Sequence, residues 1–333
     1  MTDSYLSAVS VLLPEAISVS EEDVASAPEW RSVCQDPGRT PVDMAIESGR
    51  PAVENCRIEP DQFDWLIHTG SGPQGTRSWP AHHAIQSALL GSNGNALEVR
   101  QFCAGGLSSW LLAQRLRGND RAVVCTAADN WSWTDRFAVS RGNGGEPGAD
   151  LASAAVVGPH GFAQILGSGN ASCPEHAEAW RSDDRYWELQ PNEEFSVVYA
   201  RATASQTAAS VAALIAMIRN AIRLALDDAG VAPSEVTHFV PPSSRTGQPY
   251  RHLARSMALP WSEDLYQFHL EHGYLSVSAQ AAALVRLAEA GSLTAGSTVL
   301  LAATEYNVSA TAMVLRISRS PEVLARQRVT TVH

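Results

Sequence analysis

One cysteine stands where an apolar run meets a helix led by glycines. In LEVRQFCAGGLSSWLLAQRL, Leu97 to Leu116, Cys103 comes just before Gly105 and Gly106. A thiol at a strand-to-helix turn lies near the positive end of the helix dipole, which lowers its pKa and favours the nucleophilic thiolate. Two glycines there leave room for a ligand close to the backbone. The same residue also reads as a small core hydrophobe, the commoner fate of a free thiol. The other cysteines, Cys34, Cys56, Cys125 and Cys173, are scattered, with no C-x-x-C pair and no zinc-like Cys/His spacing. An odd number of such cysteines suits a reducing compartment.

Composition removes several chemistries. All 24 basic residues are arginines, so no pyridoxal Schiff base and no Walker A lysine can form. GNGGEPGAD is glycine-rich but does not present G-x-G-x-x-G after a strand, which leaves a dinucleotide site without support. A net charge of -11 disfavours nucleic acid, whose phosphates need a basic footprint. No window is expected to approach the roughly 18 apolar residues of a membrane span. The start, MTDSYLSAVSVLLPEA, lacks the basic n-region of a signal peptide, so a cytoplasmic location without membrane contact is expected.

The elements that must position Cys103 come in two similar sets. MAIESGRPAVENCRIEPDQFDWLIHTG reads as helix, proline-marked loop and buried strand, and AALIAMIRNAIRLALDDAGVAPSEVTHFVPPSS repeats that order. SSWLLAQRLRGNDRAVVCTAADN is echoed by AQAAALVRLAEAGSLTAGSTVLLAATEYN, each a helix feeding a β-branched strand. Pro60 and Pro233 lie 173 residues apart, and Asn130 and Asn307 lie 177 apart. Two α/β halves follow, drawn as 1–170 and 171–333, with Asp129 to Phe195 read as a long loop insertion between them. Sliding one helix onto the other puts Ala279 on Ser108 and Tyr274, in HLEHGYLSVSAQ, opposite Cys103.

The ordered segments SVLLPEAISVSEEDV, DMAIESGRPAVENC, VRQFCAGGLSSWLLA, ADNWSW, GGEPGADLASAAVVG and HGYLSVSAQAAALVRL together resemble the ketoacyl-ACP synthase III relatives of the thiolase superfamily. The likeness runs over nearly the whole chain and is nearest to the acyltransferase-type branch of antibiotic and polyketide pathways. It implies a duplicated thiolase fold, a five-layered α-β-α-β-α sandwich, and a nucleophile at Cys103. It also implies a homodimer, or a heterodimer with a related chain. The donor would be acyl-CoA or an acyl group on a carrier protein's phosphopantetheine, with no metal and no permanently bound cofactor. The acceptor would be a hydroxyl, an amine or a second carrier thiol.

The chain departs from that pattern where the condensing enzymes carry their histidine and asparagine. VPPSSRTG puts Pro242 at the first and GYLS puts Tyr274 at the second, which leaves no side-chain nitrogen donor for an enolate. The acyltransferase branch usually has a histidine there with an aspartate about five residues on; here stand Tyr274 and Ala279. The usual glycine-rich oxyanion loop aligns with TEYNVSATA, so an oxyanion hole would rest on the Cys103 amide and the loop around Asn307.

His272 is the expected replacement base. It lies two residues before Tyr274, and in extended backbone that spacing points both side chains the same way. Tyr274 would donate to an acyl carbonyl, or else plug the pocket. His269 stands behind them as a candidate, and the adjacent His82 and His83 read as structural. Arg245, Arg251 and Arg255 in SSRTGQPYRHLARSMA form a candidate docking patch for an acidic carrier protein, or a solvated arginine face. WSWTDRF either walls an apolar pocket or anchors loops. The expectation is an acyltransferase working through a Cys103 thioester; the rival is a non-catalytic partner or scaffold that binds a carrier protein or an active homologue.

Overall fold

The computed structural model describes residues 3–319 apart from 26, 77, 143–144, 182–193, 206 and 243–246, and also 324–329. The first half runs β1 (Tyr5–Pro14), β2 (Ala16–Ser18), β3 (Ser32–Cys34), α1 (Pro41–Asn55), β4 (Phe63–Thr69), α2 (Ala81–Leu90), β5 (Asn95–Val99), α3 (Gly105–Leu116), β6 (Ala122–Asp129), α4 (Ala138–Gly142) and β7 (Leu151–Gly158). The second runs β8 (Ala163–Ser172), α5 (Phe195–Ala204), α6 (Ala208–Ala229), β9 (His238–Val240), α7 (Gly247–Ser256), α8 (Glu263–His272), α9 (Ala279–Glu289), β10 (Thr298–Glu305) and β11 (Ser309–Ile317). A last strand, β12 (Leu324–Val329), pairs parallel with β1 from Val9 to Pro14.

The duplication is written in the strand order. The first half is arranged β5-β4-β6-β7-β1 and the second continues β8-β11-β10-β9. In each half a parallel pair, β4 with β6 or β9 with β10, is followed by antiparallel neighbours. The halves meet where Tyr5 and Leu6 of β1 face Gln164 and Ala163 of β8. β5 has no counterpart among the described strands of the second half.

Strand alternation distributes side chains among three cores and so builds five layers. On β6, Val123 and Cys125 enter the central core while Ala122, Val124 and Ala128 face α1 and α2. On β11, Met313, Leu315 and Ile317 face the centre while Ala310, Ala312 and Val314 face α6 and α7. The two helices α3 and α9 lie in the middle layer, and α3 packs on strands of both halves. Alanines at 279, 281, 282 and 283 make α9 slim enough for that place.

Two expectations are corrected here. Asp129 to Phe195 is not one loop insertion, because β7 and β8 fall inside it; Gly167 and Gly169 of β8 read as loop but give α6 direct backbone contact, with a Cβ at 169 only 2.2 Å from Ala221 O. A boundary at 170 would therefore cut β8. The second correction concerns α6, which is long and apolar enough by composition to cross a membrane. In the fold its buried face covers β8 and β11. Thr207 caps it, with Oγ1 accepting from Ser210 N–H, and Gly230 closes it at φ 63.

Candidate active site

Cys103 lies on a sharp turn between β5 and α3. Phe102 adopts φ 41, a conformation that strains a bulky residue, and opens a 3₁₀ turn, Phe102–Ala104, that leads into α3. The second half builds the same device. Ser276, at φ 42, opens the turn Ser276–Ser278 that leads into α9. Gly105 and Ala279 both start their helices, so the halves register with an offset of 174 residues. Ala279 thus matches Gly105 rather than Ser108, and the counterpart of Cys103 is Val277 rather than Tyr274. The two glycines do not make room for a ligand: a Cβ at Gly105 would lie 2.1 Å from Thr69 Oγ1, and one at Gly106 would lie 1.9 Å from Val277 O. Their role is close approach of the two turns.

That approach brings Tyr274 to Cys103 although the register does not. Tyr274 N–H donates to Pro147 O at 2.9 Å, and its carbonyl accepts from Ala149 N–H at 3.2 Å, so the GGEPGAD loop fixes it. Tyr274 lines the same cavity as Cys103, and the hydroxyls of Tyr274 and Ser276 act to lower the pKa of the thiol. Burial nevertheless pushes the thiol up to about 11, with the charges of Asp129 and Glu146 adding to the rise. This rise opposes the lowering expected from the helix terminus. Burial raises the Tyr274 phenol well above its usual range too, which keeps it a donor.

Cys103 opens on a cavity of about 960 Å³. Trp131, Trp133 and Phe195 form one wall, with ring centroids 5.7 to 5.9 Å apart, so WSWTDRF does line a pocket. Tyr199 joins Phe195 to Trp180, each at 6.0 Å; Tyr306 stacks on Trp180 at 3.8 Å and meets Phe102 at 5.0 Å. Asn307 lines the same cavity, with Oδ1 accepting from Trp180 Nε1–H at 2.8 Å and its carbonyl accepting from His176 Nδ1–H at 2.9 Å. Its side-chain oxygen is therefore a latch for the turn Pro174–Trp180.

The expected base is elsewhere. His272 ends α8, and Gly273 leaves the helix at φ 87, so the segment is not extended and the two-residue spacing does not apply. Its Nδ1–H donates to Phe268 O at 2.8 Å and its ring lies 4.2 Å from that of Phe268. His269 is buried and held down to about 4 by that burial; it faces Pro241 and Pro242 in a separate small pocket. No histidine is among the described residues that line the large cavity. The arginine patch is also reduced. Arg251 pairs with Glu263 at 2.7 Å and lies over the Trp261 and Tyr266 rings, Arg255 is exposed, and Arg245 lies outside the described residues.

Several residues of the site escaped the sequence reading. Asp129 ends β6 with Oδ1 accepting from Ser71 N–H at 2.7 Å and Gly72 N–H at 3.1 Å. Burial raises its pKa. His68, held down to about 4 by burial, bonds Thr126 Oγ1 at 3.0 Å and donates through Nε2 to Gln74 Oε1 at 2.9 Å. Gln74 in turn donates to Gly72 O and Ala128 O, fixing the loop that holds Asp129. Asp150 joins Arg136 through two bonds of 3.0 and 2.8 Å and accepts from the N–H groups of Trp131 and Asp36, which braces the aromatic wall. A register of 174 residues would have pointed to Ser276; nothing in the local sequence marks the others.

Residues 226–317 match the family model for the 3-oxoacyl-[acyl-carrier-protein] synthase III C-terminal domain. Among solved structures, ChlB3, titled an acyltransferase, is similar over 96% of this chain and 99% of its own, at 24% identity and a TM-score of 0.84. The priming β-ketosynthase of the R1128 polyketide pathway covers 96% of this chain and 98% of its own, at 20% identity and 0.77. The 3-oxoacyl-[acyl-carrier-protein] synthase III of Aquifex aeolicus VF5 covers 94% and 99%, at 17% and 0.74. No curated protein matches. Residues 226–317 thus resemble a 3-oxoacyl-[acyl-carrier-protein] synthase III C-terminal domain, and the chain as a whole shares the fold of these acyltransferase and ketosynthase structures.

Proposed function

We propose that this protein is an acyltransferase of secondary metabolism in which Cys103 takes an acyl group from acyl-CoA or an acyl carrier protein and passes it to a hydroxyl, amine or carrier thiol. One observation carries the reading. A cysteine on a strained turn, before a central helix, opens on a cavity of about 960 Å³ walled by Trp131, Trp133 and Phe195. The aromatic wall suits an apolar or aromatic acyl group. Main-chain N–H groups of Cys103 and of the turn at Asn307 serve as the oxyanion donors in this reading.

Decarboxylative condensation is not part of the proposal. By the resemblance, Pro242 and Tyr274 take the positions of the condensing enzymes' histidine and asparagine; of the two, Tyr274 lines the Cys103 cavity and Pro242 lines the separate pocket of His269. Robust release of carbon dioxide from a malonyl thioester would overturn this half of the reading. A homodimer, or a heterodimer with a related chain, belongs to the proposal, as does work in the cytoplasm; the open edge of β5 is the natural seam for a second chain.

A second reading, a non-catalytic partner subunit, is favoured by a thiol pushed up to about 11 and by the lack of a histidine among the described cavity-lining residues. Intact-protein mass spectrometry with a panel of acyl-CoA and acyl-carrier donors, beside Cys103→Ala, decides between them. A mass gain that disappears in the variant supports acyl transfer. No gain across a broad panel with folded protein supports the partner.

A further inference from the structure

The cavity beside Cys103 differs in charge from one end of its aromatic lining to the other. The rings run in contact from Phe102 through Tyr306, Trp180, Tyr199 and Phe195 to Trp131, with centroids 3.8 to 6.0 Å apart. At the Phe102 end Arg100, the only cation among the described lining residues, holds its guanidinium 4.8 Å from the ring centroid. Glu146 stands at the other end. A Cβ on Gly145, the residue before it, would lie 3.2 Å from Tyr199 Cε1, and one on Gly148, two residues on, would run into the Trp131 ring. The loop therefore lies flat against both rings, and Glu146 borders the cavity on the stretch between those contacts.

The main chain around Glu146 is held on both sides. Gly145 N–H donates to Val139 O at 3.0 Å, Pro147 O accepts from Tyr274 N–H at 2.9 Å, and Gly148 O accepts from Arg136 Nη1–H at 2.9 Å. Those bonds tie the carboxylate to the segment that carries Tyr274. Glu98, the other carboxylate of the described lining, belongs to the Arg100 end; its side chain is 42% exposed and faces His82 Nδ1 at 3.7 Å. Glu146 is half-buried, and a carboxylate kept among indole and phenol rings has nothing to offer an apolar chain. Electron-rich ring faces beside one negative charge are instead the chemistry that recognises an organic cation. A neutral hydroxyl could bond the carboxylate but would gain nothing from the faces of the rings.

We propose that this end of the cavity binds an organic cation, the ammonium form of an amine acceptor, with Glu146 as counter-ion and the rings of Trp131, Phe195 and Tyr199 as its cage. As an acceptor site it rests on the acyltransferase reading, from whose three acceptors it selects the amine; as a cation site it stands without that reading. A cavity of about 960 Å³ has room for the acyl group and the acceptor together. In the transfer, one ammonium proton passes to the Glu146 carboxylate. The freed lone pair on nitrogen forms a bond to the carbonyl carbon of the Cys103 thioester, and the carbon–Sγ bond breaks. Sulfur takes the second proton that nitrogen gives up as the amide forms, and Glu146 returns its own to water.

The test compares two probes of one shape. Tryptophan fluorescence of the full chain is titrated at about pH 7 with phenethylammonium chloride and with phenethyl alcohol, which is similar in size and carries no charge. The ammonium should bind about 10-fold or more tightly than the alcohol, and Glu146→Gln should bring the two within about twofold while the alcohol binds as before. Equal affinities in the wild type, no binding of the ammonium, or a preference that survives Glu146→Gln would each overturn the site. The wild-type comparison stands whether or not the variant folds. Acyl loading of Cys103 is followed by mass on the same protein. A cation preference without any Cys103 adduct upholds the cation site and overturns only acyl transfer, and an adduct without that preference does the reverse.

Discussion

A single methyl group at Gly106 should separate the two turns that make the site. Its Cβ would lie 1.9 Å from Val277 O and 3.0 Å from Val277 C. Non-bonded heavy atoms settle near about 3.5 Å, so one turn must retreat by more than about 1 Å. The obstacle is main chain and cannot rotate away. Alanine in place of a helical glycine contributes about 1 kcal/mol of propensity, while overpacking a close contact costs about 1–3 kcal/mol. The net loss of stability in Gly106→Ala is then about 0–2 kcal/mol, a fall of at most a few degrees in Tm. The chemistry should suffer more, because about 1 Å of misplacement between reacting groups removes about 10²-fold in rate. Differential scanning calorimetry and the rate of Cys103 acylation measure the two effects on one sample. An unchanged acylation rate, or a raised Tm, would refute the claim that this glycine sets the distance between Cys103 and Ser276. Gly105→Ala meets the Thr69 side chain, nearest at its hydroxyl, so adding Thr69→Ala should relieve most of the clash, whereas no side-chain deletion should relieve Gly106→Ala.

Four further outcomes follow from named contacts. Arg136→Met leaves the buried Asp150 carboxylate without its cation and should destabilise the fold by about 3–5 kcal/mol in urea unfolding; a shift below about 1 kcal/mol would contradict the brace assigned to this pair. His68 and His269 are buried as neutral rings with pKa held down to about 4, so the unfolded chain binds their protons first as the pH falls. Stability should be fully present above about pH 6.5 and lost toward pH 4, a slope that His269→Gln flattens if the assignment is correct. Cys103 alkylation should rise with pH toward a midpoint near 11, and a midpoint near 7 would show that the helix terminus prevails over burial. His272→Gln should leave acylation within about twofold of wild type, since its ring faces Phe268; a loss of about 10²-fold would restore it as the base.

The layered fold was legible because it is written in long periodic segments. Buried strands such as Ala122–Asp129 and Thr298–Glu305, each fed by a helix of small residues, carry their period over enough positions to be read without tertiary contacts. Cys103 was legible for a related reason, since a turn between such a strand and a glycine-led helix has a local signature. His272 was misread because the argument depended on extended backbone, and α8 runs through it to Gly273. The offset of 171 was wrong by three residues because it matched helix interiors, where repeated alanines allow sliding by nearly one turn; only the strained turn residues Phe102 and Ser276 pin the register. Asp129 and His68 were invisible because their importance lies in partners far along the chain, 58 residues from Ser71 to Asp129 and 58 from His68 to Thr126.

The substitutions at Pro242 and Tyr274 make sense together if the proposed reaction generates charge at only one oxygen. A decarboxylating enzyme must stabilise an enolate on a second substrate, which calls for strong donors beyond the oxyanion hole. Acyl transfer without decarboxylation needs an oxyanion hole and a path for one proton. Tyr274 cannot accept that proton readily, since burial holds its phenol protonated, but it can donate to the sulfur as negative charge develops there. The phenol then supplies a donor where an imidazole or amide would otherwise stand, so a tyrosine at this position need not end the chemistry. Tyr274→Phe, which keeps the ring against the cavity and removes one donor, should slow the p-nitrophenyl acetate burst of Cys103 by about 10-fold, and a wild-type rate would leave the phenol as a plug of the pocket.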